Sequence, residues 1–232
     1  MRVLAFDTAT ARTAVALRDF DDAANVCLRT VVDLTAADDP PAGARPGHAQ
    51  HLLTLIQGLL EQSGSGWEEV DRIAVGTGPG TFTGLRIGIA TAQALAAATA
   101  TPLVGVSTLL SLERAALAPL AAPRPVLAVI DARRGEAFVG GDGTPPCVLA
   151  PELLGELVAA RASRGVIAVG DGALKFRALL EHAGAHVPAD DAPLHRVSAR
   201  EHCALALEQA PAGDGRVEPE YLRLPDAELA RA

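Results

Sequence analysis

Three features of the sequence predict an α/β fold in two lobes. Short apolar runs of strand length alternate with longer segments in which apolar residues recur at helical spacing. The pattern strand, Asp, turn, strand occurs twice, once at the start of the chain and once beyond its middle. Hydrophobic residues make up 49% of the 232 residues, which is enough to bury a sizeable core.

The N-terminal segment predicts a β-hairpin. An apolar run, Arg2–Phe6, ends at Asp7, and a second apolar run, Thr13–Leu17, follows a small polar turn. Two short strands around such a turn are typical of a hairpin. A third strand is predicted over residues 26–34, although its alternation is imperfect, and residues 35–47, rich in Ala, Asp, Pro and Gly, predict a surface loop.

From His48 onwards the hydrophobic period becomes helical. Apolar residues recur three or four positions apart and Gly64 closes the run, so a helix is predicted over this stretch. A short buried strand is predicted over residues 72–76. It leads into a glycine-rich turn, residues 78–84, after which a second long helix is predicted to continue to about Ala100.

The second predicted helix carries small residues at intervals of four, namely Gly84, Gly88 and Ala92. Such a stripe lets another helix approach closely. Two interpretations are open at this point. The stripe either packs inside the molecule or forms an interface with another subunit.

The second half of the chain repeats the opening order of elements. The predicted elements are a strand over 103–106, a helix over 108–120, a strand over 126–130 ending at Asp131, a turn over 132–135, a strand over 136–139, a helix over 151–162, a strand over 166–170 and a helix over 173–183. The return of strand–Asp–turn–strand indicates a duplicated α/β unit. We therefore expect an N-terminal lobe over 1–107, holding the glycine turn, and a C-terminal lobe over 108–232.

Charge and cysteine content limit the classes of function. The chain has 28 Asp and Glu against 20 Lys and Arg, a net charge of −8. Because nucleic acids are polyanions, we do not expect it to bind nucleic acid on its own. Its longest candidate basic patch is the pair Arg133–Arg134. Cys27, Cys147 and Cys203 are widely spaced, which indicates neither a disulfide framework nor a zinc site. The first apolar run is too short for a signal peptide, and later runs are too short to span a membrane, so we expect a soluble cytoplasmic protein.

The glycine-rich turn is the most informative segment. Glycines let backbone N–H groups approach an anion, and a helix N-terminus adds a favourable dipole. Five positions are therefore candidates for binding a nucleotide or a partner: Gly78, Gly80, Thr81, Gly84 and Arg86. Neither familiar phosphate-binding pattern is complete, since Leu85 stands where a P-loop needs Lys and the dinucleotide pattern lacks its last glycine. A turn required only by backbone geometry is the alternative.

Two aspartates end strands at corresponding places in the two halves. Asp7 and Asp131 each open a turn, and two such carboxylates facing a cleft would hold a hydrated Mg²⁺. An Asp at the end of a strand also commonly closes an Asx turn. Both aspartates are therefore nucleotide-binding or partner-binding candidates, with a purely structural role as the competing interpretation.

No metal site and no catalytic residue is predicted. His48 and His51 lie three residues apart near a helix start, but no third ligand is evident nearby. His182 and His186 are separated by a glycine at which the helix should end. No Ser or Cys nucleophile stands in a familiar relation to a base.

Taken together, several segments resemble the TsaB (YeaZ) family along nearly the whole chain. They are LAFDTAT from Leu4, GTGPGTFTGLRIG from Gly76, IDARRGE from Ile130, the turn GDG at 170–172 and PEYLR from Pro219. His48 resembles the family's histidine at the head of the first long helix. The glycine segment is the specific one, and the order and spacing of the others agree with it.

The resemblance implies the actin/hexokinase/Hsp70-type ATPase fold in two α/β lobes. It implies a non-catalytic, scaffolding subunit, without activity alone, that forms a heterodimer with TsaD, the related protein that transfers threonylcarbamoyl to an adenosine of tRNA. The ATPase TsaE joins through the complex. The resemblance then implies that the chain itself binds no cofactor, because ATP and Mg²⁺ are used by the complex. It also implies that the chain contacts tRNA only indirectly. The HxxxH metal motif of TsaD is absent from the first half of this chain.

The family docks through the helices of its first lobe. Mapped onto this chain, the implied interface candidates are His48, Leu52, Leu55, Gly84, Gly88 and Ala92. This favours the interface interpretation of the small-residue stripe. The resemblance also implies self-pairing through the same surface when the partner is absent.

Three other functions are weighed against this one, and the third, a purely structural module of some other complex, differs from it only in the partner. A small-molecule kinase or ATPase of the same fold would use Asp7, Asp131 and the glycine turn. A metalloprotease would need a metal triad, which the sequence does not contain.

Overall fold

The computed structural model describes residues 1–20, 32–41, 43–118 and 124–223. The chain divides into two compact units. Unit 1 comprises residues 1–77, 83–106 and 198–219, and unit 2 comprises residues 78–82, 107–197 and the chain from residue 220. None of the described helices is long and apolar enough to cross a membrane.

The described elements follow one another in an alternating α/β order. They are β1 (Arg2–Asp7), β2 (Thr13–Asp19), β3 (Asp33–Asp38), α1 (His48–Ser63), β4 (Arg72–Gly78), α2 (Phe82–Thr99), β5 (Leu103–Ser107), α3 (Thr108–Leu117), β6 (Val126–Asp131), β7 (Ala137–Gly141), β8 (Thr144–Leu149), α4 (Pro151–Ala159), β9 (Ile167–Val169), α5 (Asp171–Lys175), α6 (Arg177–His182) and α7 (Ala199–Leu205). Single 3₁₀ turns lie at Trp67–Glu69, Ala162–Arg164 and Pro193–His195.

Unit 1 is built on a sheet with the strand order β3-β2-β1-β4-β5. The predicted hairpin is confirmed, since β1 and β2 pair antiparallel with Leu4 opposite Leu17, and β4 lies parallel to the other side of β1. Apolar side chains of α1 and α2, among them Ile56 and Ile89, share a core with one face of the sheet. Helix α7 buries its apolar side against the opposite face, next to Val3 and Ala16.

Unit 2 repeats this topology with the strand order β8-β7-β6-β9. Strand β6 pairs antiparallel with β7 and parallel with β9, just as β1 pairs with β2 and β4. Helices α4 and α6 cover one face, and α3 covers the other. The duplicated unit predicted from the repeated strand–Asp–turn–strand pattern is therefore confirmed.

Four segments differ from the sequence-based expectations. Of the predicted third strand, residues 26–31 lie outside the described residues; β3 instead extends to Asp38, so the loop predicted from residue 35 begins later. The helix predicted over 173–183 is two helices, α5 and α6, because the backbone at Phe176 departs from helical geometry (φ −101°, ψ 18°). Strand β8 and helix α7 were not predicted.

The division of the chain also differs from the expected lobes. The expected boundary after residue 107 lies next to the change between units at Val106 and Ser107. Residues 198–219, however, belong to unit 1 and not to the C-terminal lobe, because α7 packs on β1 and β2. Sequence order alone does not reveal such a return of the chain.

Candidate functional site

Asp7, at the end of β1, is completely enclosed in unit 1. Its Oδ1 accepts a hydrogen bond of 2.7 Å from the backbone N–H of Ala9, two residues on, which is the contact of an Asx turn. Its Oδ2 lies 3.0 Å from Nε2 of His202 on α7, and both side chains are 0% exposed. Gly76 on β4 closes the site, because a Cβ at this position would stand 1.9 Å from Oδ2.

The hydrogen bonds of His202 define where its protons lie. Its Nδ1 stands 3.1 Å from the carbonyl oxygen of Ser198, which can only accept, so Nδ1 carries a proton. The contact between Nε2 and Asp7 then requires one further proton, held on Nε2 or on the carboxyl group. Both oxygens of the Asp7 carboxyl group therefore have partners inside unit 1, the N–H of Ala9 for Oδ1 and His202 for Oδ2.

Asp131 occupies the corresponding place in unit 2 and is also engaged. Its Oδ1 accepts hydrogen bonds from Lys175 Nζ at 2.6 Å and from the N–H of Arg133 at 2.8 Å. Next to it, the carboxylate of Asp171 accepts the N–H of Asp131 at 3.1 Å. Burial, together with the negative charge of Asp131, raises the pKa of Asp171, while that hydrogen bond opposes the shift.

His48 is the first residue of α1, and its side chain is buried rather than exposed to solvent. Its Nδ1 lies 2.7 Å from Thr13 Oγ1 on β2, and its Nε2 has no hydrogen-bond partner among the described residues. Burial lowers the pKa of His48, whereas Asp7, the backbone of Thr10 and Asp38 act in the opposite direction. Within the described ranges, no group of three or more His, Cys, Asp or Glu side chains is placed to hold a metal ion.

The glycine turn is held by contacts on both of its sides. Thr8 donates a 2.7 Å hydrogen bond from Oγ1 to the carbonyl of Gly84, in unit 1, and Ser107 donates one of 3.4 Å to the carbonyl of Gly78, in unit 2. Gly78 is buried, and Gly80 and Thr81 are partly buried. These contacts fix the backbone of the turn, which explains why glycines occur there. That the turn binds a nucleotide or a partner stays a prediction.

The small-residue stripe of α2 faces the sheet of unit 1. Gly84, Gly88 and Ala92 are all buried, and a Cβ at position 88 would stand 2.4 Å from Thr8 Oγ1. The stripe therefore packs inside the molecule, which is the first of the two interpretations left open by the sequence. The stripe itself is therefore not a surface on which a partner helix can pack.

The remaining interface candidates lie on α1 and also point largely inward. His48 and Leu52 are buried, and Leu55 is partly buried against the core. The outward side of α1 instead carries Leu53, which is 57% exposed. On α2 the exposed positions include Arg86, Ala90, Ala94 and Ala97.

Two features of the site were missed from the sequence. His202 stands 195 positions from Asp7, and its short helix gives no strong periodic signal. In unit 2, Phe82 and Tyr221 stack with their ring centroids 5.4 Å apart, and both are exposed, by 39% and 42%. The PEYLR segment was noted as a motif, but nothing in it indicated this ring contact.

Comparison with known proteins gives a consistent set of relatives. Residues 40–149 match the family model described as TsaD, tRNA N6-adenosine threonylcarbamoyltransferase. The chain is 39% identical to the tRNA threonylcarbamoyladenosine biosynthesis protein TsaB of Escherichia coli over 142 residues, which cover 60% of this chain and 53% of that protein. It is also 39% identical to the TsaB of Haemophilus influenzae over 95 residues, covering 41% and 40%. The matched part thus spans about half or less of these curated relatives.

The likeness to a solved structure extends much further. The chain matches YeaZ from Pseudomonas aeruginosa with a TM-score of 0.74 and 26% identity, over 95% of this chain and all of that one. Together with the duplicated topology, this confirms the expected two-lobed actin/hexokinase/Hsp70-like fold. The sequence and structure matches confirm the resemblance to the TsaB (YeaZ) family.

Proposed function

We propose that this chain, which resembles the TsaB (YeaZ) proteins along nearly its whole length, is a non-catalytic scaffolding subunit in the synthesis of threonylcarbamoyladenosine on tRNA. Its partner is TsaD, with which it forms a heterodimer in the cytoplasm, and TsaE joins through that complex. ATP and Mg²⁺ serve the complex and not this chain. When TsaD is absent, the chain pairs with a second copy of itself.

The state of the two strand-end aspartates carries this proposal. A kinase or ATPase of the same fold needs carboxylates that can reach Mg²⁺ or act as a base. Asp7 is fully buried against His202, and Asp131 is bound by Lys175. This arrangement favours a scaffold over a small-molecule kinase, because either carboxylate would have to leave its partner before it could act.

The outer side of the first two helices is the best candidate for the contact with TsaD. We define this docking face as Leu53 on α1 together with Ala90, Ala94 and Ala97 on α2. Positions 90, 94 and 97 are spaced by four and three, so they share one side of the helix. Alanines allow a partner helix to approach closely, and Leu53 supplies a large apolar side chain that is now exposed to solvent.

Reconstitution of the modification tests the proposal. Purified TsaD and TsaE, with TsaC to supply the threonylcarbamoyl adenylate, are incubated with tRNA and ATP, with and without this chain, and the modified nucleoside is measured by mass spectrometry. We expect product only when the chain is present. The chain with TsaC alone should give none.

A kinase-like function would produce the opposite pattern. Equal product with and without the chain would contradict the scaffold proposal. ATP hydrolysis by the isolated chain, abolished by Asp7→Asn with the fold retained, would favour the kinase or ATPase alternative.

A further inference from the structure

A groove opens in unit 1 beside the C-terminal end of α2. It has a volume of about 430 Å³ and lies between that end of the helix, the start of β5 and the loop of residues 211–215. Much of its wall is apolar and built from small residues such as Ala97, Ala100 and Pro211. Because these residues are exposed, the groove is open to a side chain from outside and is not closed around a buried ligand.

The two walls of the groove are attached to each other. The N–H of Ala212 donates to the carbonyl of Leu103 at 2.8 Å, which ties the loop to the start of β5. Gln93 on α2 donates from Nε2 to the carbonyl of Val217 at 3.0 Å. Val217 packs so closely on β5 that a Cβ at Gly105 would stand 2.6 Å from it. The groove is therefore formed before a partner binds, which lowers the entropy cost of binding there.

The groove offers hydrogen-bond acceptors. Oδ1 of Asp214 accepts the N–H of Arg216 at 3.0 Å, whereas Oδ2 has no hydrogen-bond partner among the described residues. Oε1 of Gln93 likewise accepts no hydrogen bond from the part of the chain that the structure describes. The C-terminal end of α2 adds the partial negative charge of the helix dipole. An arrangement of acceptors suits a group that donates hydrogen bonds and carries positive charge.

The charges around the groove agree with this. Among the described residues that line it, Asp214 is the one that carries a charge. Along the same segment Arg216 and Glu218 follow, both exposed, and Glu208 precedes. Arg72 on β4 donates to the carbonyl of Gln209 at 3.3 Å and so belongs to the same surroundings. Together these are three acidic groups against two basic ones, an excess of one negative charge.

The groove adjoins the docking face proposed for TsaD, and Ala97 belongs to both. Positions 93, 97 and 100 are spaced by four and three, so they share one side of α2. This side lies next to the one that carries Ala90 and Ala94. A subunit that covers the docking face therefore comes to lie at the mouth of the groove.

We propose that the groove receives a basic side chain of TsaD, an arginine or a lysine. Its aliphatic part packs on the alanines, and its cation meets Asp214 and the C-terminal end of α2. An apolar side chain would fill the same space but would leave Oδ2 of Asp214 covered without a partner, which costs free energy. The inference rests on the proposed function, which supplies TsaD as the partner, and it adds the chemistry by which that partner is recognised.

Biolayer interferometry of purified TsaD on the immobilised full chain, at several salt concentrations, tests this. Asp214→Asn should weaken binding about tenfold, mainly through faster dissociation, because a charge pair at the interface is lost. Asparagine keeps an Oδ1 that accepts the N–H of Arg216, so the loop retains its conformation. The difference from the unaltered chain should shrink as the salt concentration is raised.

A variant of equal charge provides the control. Asp191→Asn removes the same charge at an exposed position of unit 2, and it should bind TsaD as the unaltered chain does. Circular dichroism and melting temperature show whether each variant is folded. Equal affinities of Asp214→Asn and Asp191→Asn would overturn the inference, since only net charge, or no charge at all, would then matter.

A charge exchange identifies the side chain that enters the groove. Asp214→Lys should bind TsaD more weakly than Asp214→Asn does, because two cations would then face each other. Among TsaD variants in which single exposed Lys or Arg residues are changed to Glu, one should restore binding to Asp214→Lys while weakening binding to the unaltered chain. Restoration by none of them would contradict a basic occupant.

Two further measurements separate the sources of a failure. If Asp214→Asn weakens self-association in sedimentation velocity but not binding to TsaD, the cation comes from a second copy of the chain and the inference is overturned. Product formation in the reconstituted modification does not require this contact. Product with the unaltered chain, together with equal affinities of the two asparagine variants, would therefore remove the inference and leave the scaffold function standing.

Discussion

At the scale of single residues, the pair of Asp7 and His202 explains why a strand-end aspartate need not be a metal ligand. Sequence reasoning placed Asp7 at the end of a strand and left Mg²⁺ binding and an Asx turn open. The structure shows the Asx contact to Ala9 and adds a buried histidine from the far end of the chain. The local turn was predictable from the sequence, whereas the long-range contact was not.

The pair makes a prediction about stability. His202→Ala should lower the free energy of unfolding by about 3–5 kcal/mol, because it leaves a buried carboxylate without its partner. Urea denaturation followed by circular dichroism measures this. His182→Ala, at an exposed position, is the control and should change little. If Asp7→Ala/His202→Ala costs the sum of the two single changes, the residues are not coupled and the prediction fails.

His48 predicts a dependence of stability on acidity. Burial lowers its pKa in the folded protein below the ordinary 6.5, so the unfolded chain takes up this proton first as the pH falls. Stability should therefore be unaffected above about pH 7 and should be lost as the pH drops below 6.5 towards the folded value. His48→Gln, which does not titrate, should show a smaller loss between about pH 7.5 and 5.5. Identical losses in both proteins would exclude His48 as the cause.

At the scale of helices and strands, strong periodic signals predicted the structure and short elements did not. Strand β4, the glycine turn and α2 follow the pattern of residues 72–100 closely. Strand β8 was missed because it contains Pro145 and Pro146, which argue against a strand and are tolerated here at the edge of the sheet. Helix α7 has only seven residues, too few to show a repeating apolar side.

The small-residue stripe shows what spacing alone leaves undecided. Intervals of four place Gly84, Gly88 and Ala92 on one side of α2, and the sequence predicted that much. Which surface this side meets depends on Thr8 and on the rest of the sheet, which come from distant parts of the chain. The outward side is the one available to a partner.

The docking face leads to a prediction about assembly. Leu53→Glu and Ala94→Glu should each weaken binding to TsaD at least tenfold, because a charge would be buried at a helix contact. Leu153→Glu provides a matched control, since Leu153 on α4 is 53% exposed and lies in unit 2. Isothermal titration calorimetry measures the affinities. Unchanged binding of both unit 1 variants would place the contact elsewhere.

At the scale of the whole molecule, the two units share one topology, but the aspartate at the end of the first strand has different partners in each. In each, a hairpin lies beside a parallel strand, and a glycine packs close to the end of the first strand. In unit 1 it is Gly76 of β4, against Asp7, and in unit 2 it is Gly172 of α5, just after β9, against the backbone of Ile130 and Asp131. Unit 1 is completed by α7, which contributes His202, whereas Asp131 is bound by Lys175 of the neighbouring α5. The duplication was predictable from the sequence, and the distant origin of α7 was not.

The return of the chain predicts how unit 1 folds. A fragment of residues 1–107, the expected N-terminal lobe, lacks α7, so the sheet face around Val3 and Ala16 would be uncovered and Asp7 would be buried without His202. We expect this fragment to show no cooperative thermal transition by circular dichroism. Residues 1–106 joined to 198–219 by a flexible linker should regain such a transition, and His202→Ala within this fusion should weaken it. A cooperative transition in the 1–107 fragment alone would mean that α7 is an accessory to unit 1 and not a part of its fold.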